Sequence, residues 1–261
     1  MTKFYFILLF ICAVSTGGSL YSGHNADTNL SFKYNNYDVA ISSSSSGFFG
    51  GRLSVSEGGK TLFSMDSSFT NYVEHKFIDL NGDGSNEMLL YLTEGASPYV
   101  FHYLYVFDSK RGAEPLYMLQ NGEVDTSVFE KPLLTVNLRM SPAVLGLWYS
   151  YFLEYSDNRL RYTEPGGNRS IMLGPDFASI KENLDELNKS NEICDDFAYD
   201  VFFEYIFITS KISGQEPKAE RFFNENYRCE NRISALKQFK TAAVDNYSWI
   251  KNEENYKYSI Y

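Results

Sequence analysis

Val73-Glu-His-Lys-Phe-Ile-Asp-Leu-Asn-Gly-Asp-Gly-Ser-Asn-Glu-Met-Leu-Leu-Tyr-Leu92 reads as strand, loop, strand. Apolar and β-branched residues alternate from Val73 toward Asp79, and an apolar run leaves the loop from Glu87 to Leu92. Between them, oxygen-bearing side chains stand at alternate positions, Asp79, Asn81 and Asp83, and a further carboxylate follows at Glu87. Asn-Gly and Asp-Gly are turn pairs in their own right. Turn chemistry does not call for the extra carboxylates at 79 and 87, which without a cation would repel one another and raise each other's pKa. A loop of this kind supplies the oxygen ligands that a hard cation such as calcium collects, about six to eight of them.

The same extended pattern runs outward on both sides. Phe32–Ser43 is extended and tails into the serine run Ser42–Ser46, ending at Gly47. Arg52–Ser56 and Lys60–Ser64 flank Glu57-Gly-Gly, a hairpin signal. Phe101–Asp108 is rich in aromatic and β-branched residues and reads as a well-buried strand. Further strands fit Leu116–Leu119, Leu133–Arg139, Trp148–Tyr155 and Arg159–Tyr162, the last two joined at Ser156-Asp157-Asn158. Beyond Pro175 the period becomes helical, over Phe177–Asn188, Phe197–Ser213, Glu216 through Phe223, and Arg232–Lys251. In the last of these, Ile233, Leu236, Phe239, Ala243 and Tyr247 fall on one face. The expected fold is α+β: an N-terminal antiparallel β-rich unit over residues 30–165, propeller-blade-like or sandwich-like, then a helical region over 175–261. The stretch Glu164-Pro-Gly-Gly-Asn-Arg-Ser marks the boundary.

The N-terminus reads as a signal peptide over residues 1–17, with Lys3 ahead of the apolar run Phe4–Val14 and small residues after it. Ile11 sits where a lipoprotein signal at Cys12 would want a small residue. Cleavage removes Cys12 and leaves Cys194 and Cys229, which in an oxidising compartment suggests one disulfide. No second apolar run approaches membrane length, so the mature chain is not expected to span a membrane. A net charge of −10 argues against nucleic acid, whose phosphates need Lys and Arg. Phe and Tyr number 21 each, a content that suits a β-sheet core with cross-strand aromatic pairs better than a ligand platform.

An EF-hand shares the first, third, fifth and sixth positions of this loop but needs a bidentate Glu at its twelfth, where this chain has Leu90. A dockerin loop fails there too, and a helix should follow it. The order apolar strand, Asp-x-Asn-x-Asp-Gly-x-x-Glu, apolar strand instead resembles the calcium loop of FG-GAP and VCBS repeats. The resemblance covers residues 73–108, taking in Glu94-Gly-Ala-Ser and the aromatic strand Tyr103–Phe107 of single-copy exported bacterial proteins. It implies calcium as a structural ion held by the side chains of Asp79, Asn81, Asp83 and Glu87 and the backbone carbonyl of Ser85. A propeller needs several repeated blades, and the sequence carries one copy of the loop.

No nucleophile elbow, His-Glu-x-x-His pair or phosphate loop is present, and the three histidines, His24, His75 and His102, lack metal-ligand spacing. His102 reads as a structural histidine within its strand and His75 as facing solvent. These features point to an exported, non-catalytic protein whose calcium-stabilised β module serves binding, adhesion or envelope scaffolding. Its partner would be a protein or a surface glycan. The alternative is a periplasmic inhibitor or immunity protein whose cystine-tied helical half blocks a toxin or cell-wall enzyme.

Overall fold

A computed structural model of the chain describes residues 28–43, 50–66, 69, 71–94, 101–126, 131–140, 146–164, 166–189, 194 and 196–258. The expected leader, residues 1–17, and most of the serine run lie outside them. Among the described residues, strands come first and helices follow, an α+β arrangement with its β unit N-terminal. Strands β1 (Thr28–Tyr34), β2 (Tyr37–Ser43), β3 (Arg52–Glu57) and β4 (Lys60–Asp66) form one antiparallel sheet in sequence order. The second sheet holds β5 (Asn71–Ile78), β6 (Glu87–Glu94), β7 (Phe101–Phe107) and β8 (Tyr117–Gln120). The third holds β9 (Gly122–Asp125), β10 (Leu133–Arg139), β11 (Trp148–Ser156) and β12 (Arg159–Tyr162).

The second sheet is the middle layer. From β6, Met88, Leu90 and Leu92 join the core made with the first sheet, while Leu89 and Tyr91 join the core shared with the third sheet and the helices. On β7, Tyr105 and Phe107 face the first core, and Leu104 and Val106 the second. Successive side chains of a strand point to opposite faces. A strand buried on both therefore needs an unbroken apolar run, and this is why Met88–Leu92 and Tyr103–Phe107 do not alternate.

Two features differ from the sequence reading. Phe32–Ser43 is not one extended piece; Asn35, at φ 53°, turns the chain into a hairpin of β1 and β2. Asparagine tolerates this left-handed conformation, and the Asn35-Asn36 pair supplies the turn. The second is β9, which continues β8 through Asn121 and carries the chain from the middle sheet into the third. Asn121 is buried with φ 49°. Its backbone N–H donates to the His102 carbonyl (2.7 Å), and its amide nitrogen donates to the Asn137 carbonyl (3.2 Å). One residue thus bridges β7 and β10 at the corner.

Among the described residues five α-helices follow: α1 (Asn168–Leu173), α2 (Phe177–Leu187), α3 (Phe197–Ser213), α4 (Glu216–Asn226) and α5 (Arg232–Lys251). Asp176 and Asp196 cap α2 and α3 by accepting from backbone N–H groups one turn ahead. Pro217 sits in the first turn of α4, where a missing N–H costs nothing. α1 falls within and beyond the stretch read as a boundary. Helix α3 is the apolar hub and packs on β11, α4 and α5. On α5 the buried residues are Ala235, Phe239, Ala243 and Ile250. Of the face formed by Ile233, Leu236, Phe239, Ala243 and Tyr247, Phe239 and Ala243 are buried, whereas Ile233, in the first turn, is 89% exposed. Cys194 and Cys229 are bonded, with Cα atoms 5.7 Å apart, within the span such a bond allows. The bond ties the approach to α3 to the link between α4 and α5. No helix among the described residues is long and apolar enough to cross a membrane.

Candidate functional site

The acidic loop joins β5 to β6 at the middle sheet, and its backbone is folded onto its own carboxylates. Asp79 accepts from three N–H groups, with Gly82 (2.8 Å) and Asp83 (3.1 Å) on Oδ1 and Gly84 (2.8 Å) on Oδ2. Asn81 Oδ1 takes the Asp83 N–H at 2.9 Å, and Asp83 Oδ1 takes the Ser85 N–H at 2.9 Å. Such a run of inward N–H groups requires a backbone that turns twice. Gly82 and Gly84 supply the turns at φ 75° and 82°, a conformation costly for any residue with a Cβ.

Two residues fasten this loop to the core. Leu80 points inward and is 1% exposed, joining the core shared with the third sheet. Glu87, also 1% exposed, accepts the Leu80 N–H on Oε2 at 2.7 Å and so closes the loop across its base. Its Oε1 receives a long contact, 3.5 Å, from the Asn81 amide. Burial, then the neighbouring charges of Asp108 and Asp83, push the Glu87 carboxyl from its ordinary 4.5 up to about 7.

Residues that the sequence reading left out of the site hold it in place. Asp108, at the end of β7, is buried; its Oδ1 accepts the Lys110 N–H (2.9 Å) and its Oδ2 the Tyr155 hydroxyl (2.9 Å). Tyr34 donates to the carbonyls of Phe107 (3.1 Å) and Asn86 (3.2 Å) and accepts from the Ser109 N–H (3.0 Å). The Lys110 ammonium reaches back 27 positions to Asp83 Oδ2 at 2.7 Å. This bond holds the Asp83 carboxyl below its ordinary value. The turn after β7 thus clamps the loop from the side, and Tyr34 and Tyr155 connect it to the first and third sheets. Nothing in the sequence near Asp108 and Lys110 announces this, because the pairing register of β6 with β7 decides it.

The structure brings Asp79, Asn81, Asp83 and Glu87 onto one loop, all of them hard oxygen donors of the kind calcium takes. The Ser85 N–H is turned toward Asp83. Among the described residues no three His, Cys, Asp or Glu side chains converge into a group that could hold a metal. The donor chemistry fits a calcium ion, and the inward convergence of the carboxylates is not part of this arrangement.

The two histidines among the described residues, His75 and His102, are occupied by packing. His102 Nε2 lies 3.2 Å from the Gly122 carbonyl beside the Asn121 corner. His75 does not simply face solvent: Phe32 stacks on its ring at 3.8 Å, and Tyr72 Oη lies 2.8 Å from its Nδ1. Tyr34 stacks on Phe77 beside it. These ring faces are covered by one another across the first and second sheets, which uses the aromatic stripe for inter-sheet packing. Comparison with protein-family profiles, with curated proteins and with solved structures finds no match to this chain.

One pH dependence follows from Glu87. In protein freed of divalent cations, the folded state keeps this carboxyl protonated up to about pH 7, whereas the unfolded chain releases the proton near 4.5. Folding therefore binds a proton in between, and the stability it contributes is full at low pH and lost as pH rises through about 7. The loss is on the order of 1–3 kcal/mol. Urea midpoints in chelator are expected to fall from about pH 5 to about pH 8 more in the wild type than in Glu87→Gln, which stays neutral. Parallel pH profiles for the two proteins would remove Glu87 as the cause.

Proposed function

We propose that this is an exported, non-catalytic protein whose β unit is stabilised by one calcium ion at the Asp79–Glu87 loop. The β unit would serve binding, adhesion or envelope scaffolding against a protein or a surface glycan. The observation that carries the calcium reading is Glu87. It is a buried carboxylate, closed onto Leu80 N–H, beside Asp83 and Asp108, and a divalent cation offsets the cost of ionising it. Asp79, Asn81, Asp83 and Glu87 would hold the ion through their side chains and Ser85 through its carbonyl. The ion would supply charge neutralisation and a tie between β5 and β6, and no chemical step. Export rests on the Lys3 and Phe4–Val14 pattern of the N-terminus.

Extracellular calcium modules bind with dissociation constants of about 10⁻⁴–10⁻³ M. At about 10 mM free calcium, linkage then gives roughly 1.5–3 kcal/mol of extra stability. For a chain of this size the melting temperature is expected to rise by about 3–10 °C over chelated protein. Asp83→Ala should lose most of that rise. A wild type that melts alike with calcium and with chelator would overturn the calcium reading. Turnover of a glycan, peptide or ester substrate, abolished by a point substitution away from the loop, would overturn the non-catalytic one.

A further inference from the structure

We infer that Glu253–Tyr258 is a strap latching the β3–β4 hairpin of the first sheet to the helical layer. Strap and hairpin open together as one unit, at a free energy below that of unfolding the whole protein. The chain leaves α5 at Asn252, whose backbone turns extended (ψ 107°) and whose side chain accepts the Glu254 N–H at 3.2 Å. The 3-10 turn that follows, Glu253–Tyr256, is held on several sides. Tyr256 is buried, donates to the Ile250 carbonyl, and sets its ring 5.8 Å from that of Trp249 and 6.2 Å from that of Tyr151 on β11. The Glu253 carboxylate accepts the Tyr117 hydroxyl at 2.6 Å, and that hydroxyl accepts the Leu160 N–H at 3.2 Å. Helical layer, third sheet and middle sheet thus meet at the root of the strap.

Beyond Tyr256 the hold is lighter. Lys257 is exposed and pairs with Tyr117 in an isolated antiparallel bridge, and the Tyr258 N–H donates to the Leu116 carbonyl at 3.0 Å. This bridge lies at β8, the last strand of the middle sheet. The Tyr258 ring, half-buried, then joins the first core, edge-on to Phe63 of β4 (5.9 Å, 79°) and to Tyr105 of β7 (6.0 Å, 64°). Among the described residues β4 is an edge strand, hydrogen-bonded to β3 and to no other strand, and its register with β3 shifts between Val55 and Ser56. Phe63 is buried, and part of what covers it is a ring that the strap carries across the molecule. A segment held by few buried contacts opens well before the core does, so the Tyr258 ring is the latch. Once it lifts, β4 keeps its bonds to β3 but loses the grip on its inner face.

The test is native-state hydrogen exchange of the folded protein at several urea concentrations below its midpoint, read in peptic fragments. Wild type, Tyr258→Phe and Tyr258→Ala are compared, each rate being referred to that of the unfolded sequence. In wild type, amides of the strap and of β4 should share one opening reaction, with one urea slope smaller than that of α3, since the slope scales with the surface exposed. Tyr258→Ala removes both ring contacts and should speed strap and β4 by a common factor of about five- to thirtyfold. Tyr258→Phe keeps the ring and should exchange like wild type. Three results would each overturn the inference. In the first, β4 amides exchange with the urea slope of α3, so that the hairpin opens only when everything does. In the second, Tyr258→Ala speeds the strap and leaves β4 unchanged, so that the strap frays alone. In the third, Tyr258→Phe exchanges as fast as Tyr258→Ala, so that the ring is not what holds the seam.

Discussion

Phe203→Ala is expected to destabilise the protein by about 3–5 kcal/mol, the range for truncating a fully buried phenylalanine to alanine. Phe203 is 0% exposed on α3, the helix against which the other helices pack. Its ring lies 5.2 Å from those of Tyr199 and Tyr227, 5.5 Å from Phe223, and 6.2 Å from Phe222 and Phe239. Those rings come from α3, α4, α5 and the link between the last two, so the cavity would open where the helical layer converges. Few of the neighbours can collapse into it, because each is held by further ring contacts of its own, such as Phe223 against Tyr227 at 4.6 Å. Urea unfolding followed by far-UV and near-UV dichroism would measure the loss. A cost below about 1 kcal/mol would mean that this cluster is not the packed centre of the helical layer.

Loss of the Cys194–Cys229 bond carries the second large effect. The bridge closes a separation of 35 residues, for which the chain-entropy model gives about 3–4 kcal/mol. With both cysteines replaced by serine, or with reductant present, the melting temperature is expected to fall by about 6–15 °C. The bond spans the entry to α3 and the α4–α5 link, so the loss should appear in the helical layer. Thiol counts on denatured protein before and after reduction measure the bond itself; equal counts would refute it. The two changes sit in one layer, and the double variant is not expected to be additive, since Tyr227 touches Phe203 and lies two residues from Cys229.

Much of the fold was legible because its signals are local. Leu133–Arg139, Arg159–Tyr162, Phe197–Ser213 and Arg232–Lys251 stand where their periodicity placed them. The Glu57-Gly58-Gly59 and Ser156-Asp157-Asn158 turns connect the hairpins they promised. The β9 strand was not legible: it is four residues long, and what makes it a strand is its pairing with β10, residues away. Helical spacing places Ile233 on one face with Phe239 but does not say which end of that face a neighbouring helix covers, and Ile233 is exposed.

The acidic loop divides in the same way. The sequence by itself determined the loop's composition, its glycine turns and the strands on either side, since these depend on residues within a few positions of one another. Tertiary structure alone decided that Glu87 is buried close enough to Asp108 for that charge to push its carboxyl upward, that Tyr34 and Tyr155 brace the loop from the two outer sheets, and that Lys110 reaches Asp83. Burial and charge proximity are set by which strands pair and which sheets stack, and those contacts join residues far apart in the chain.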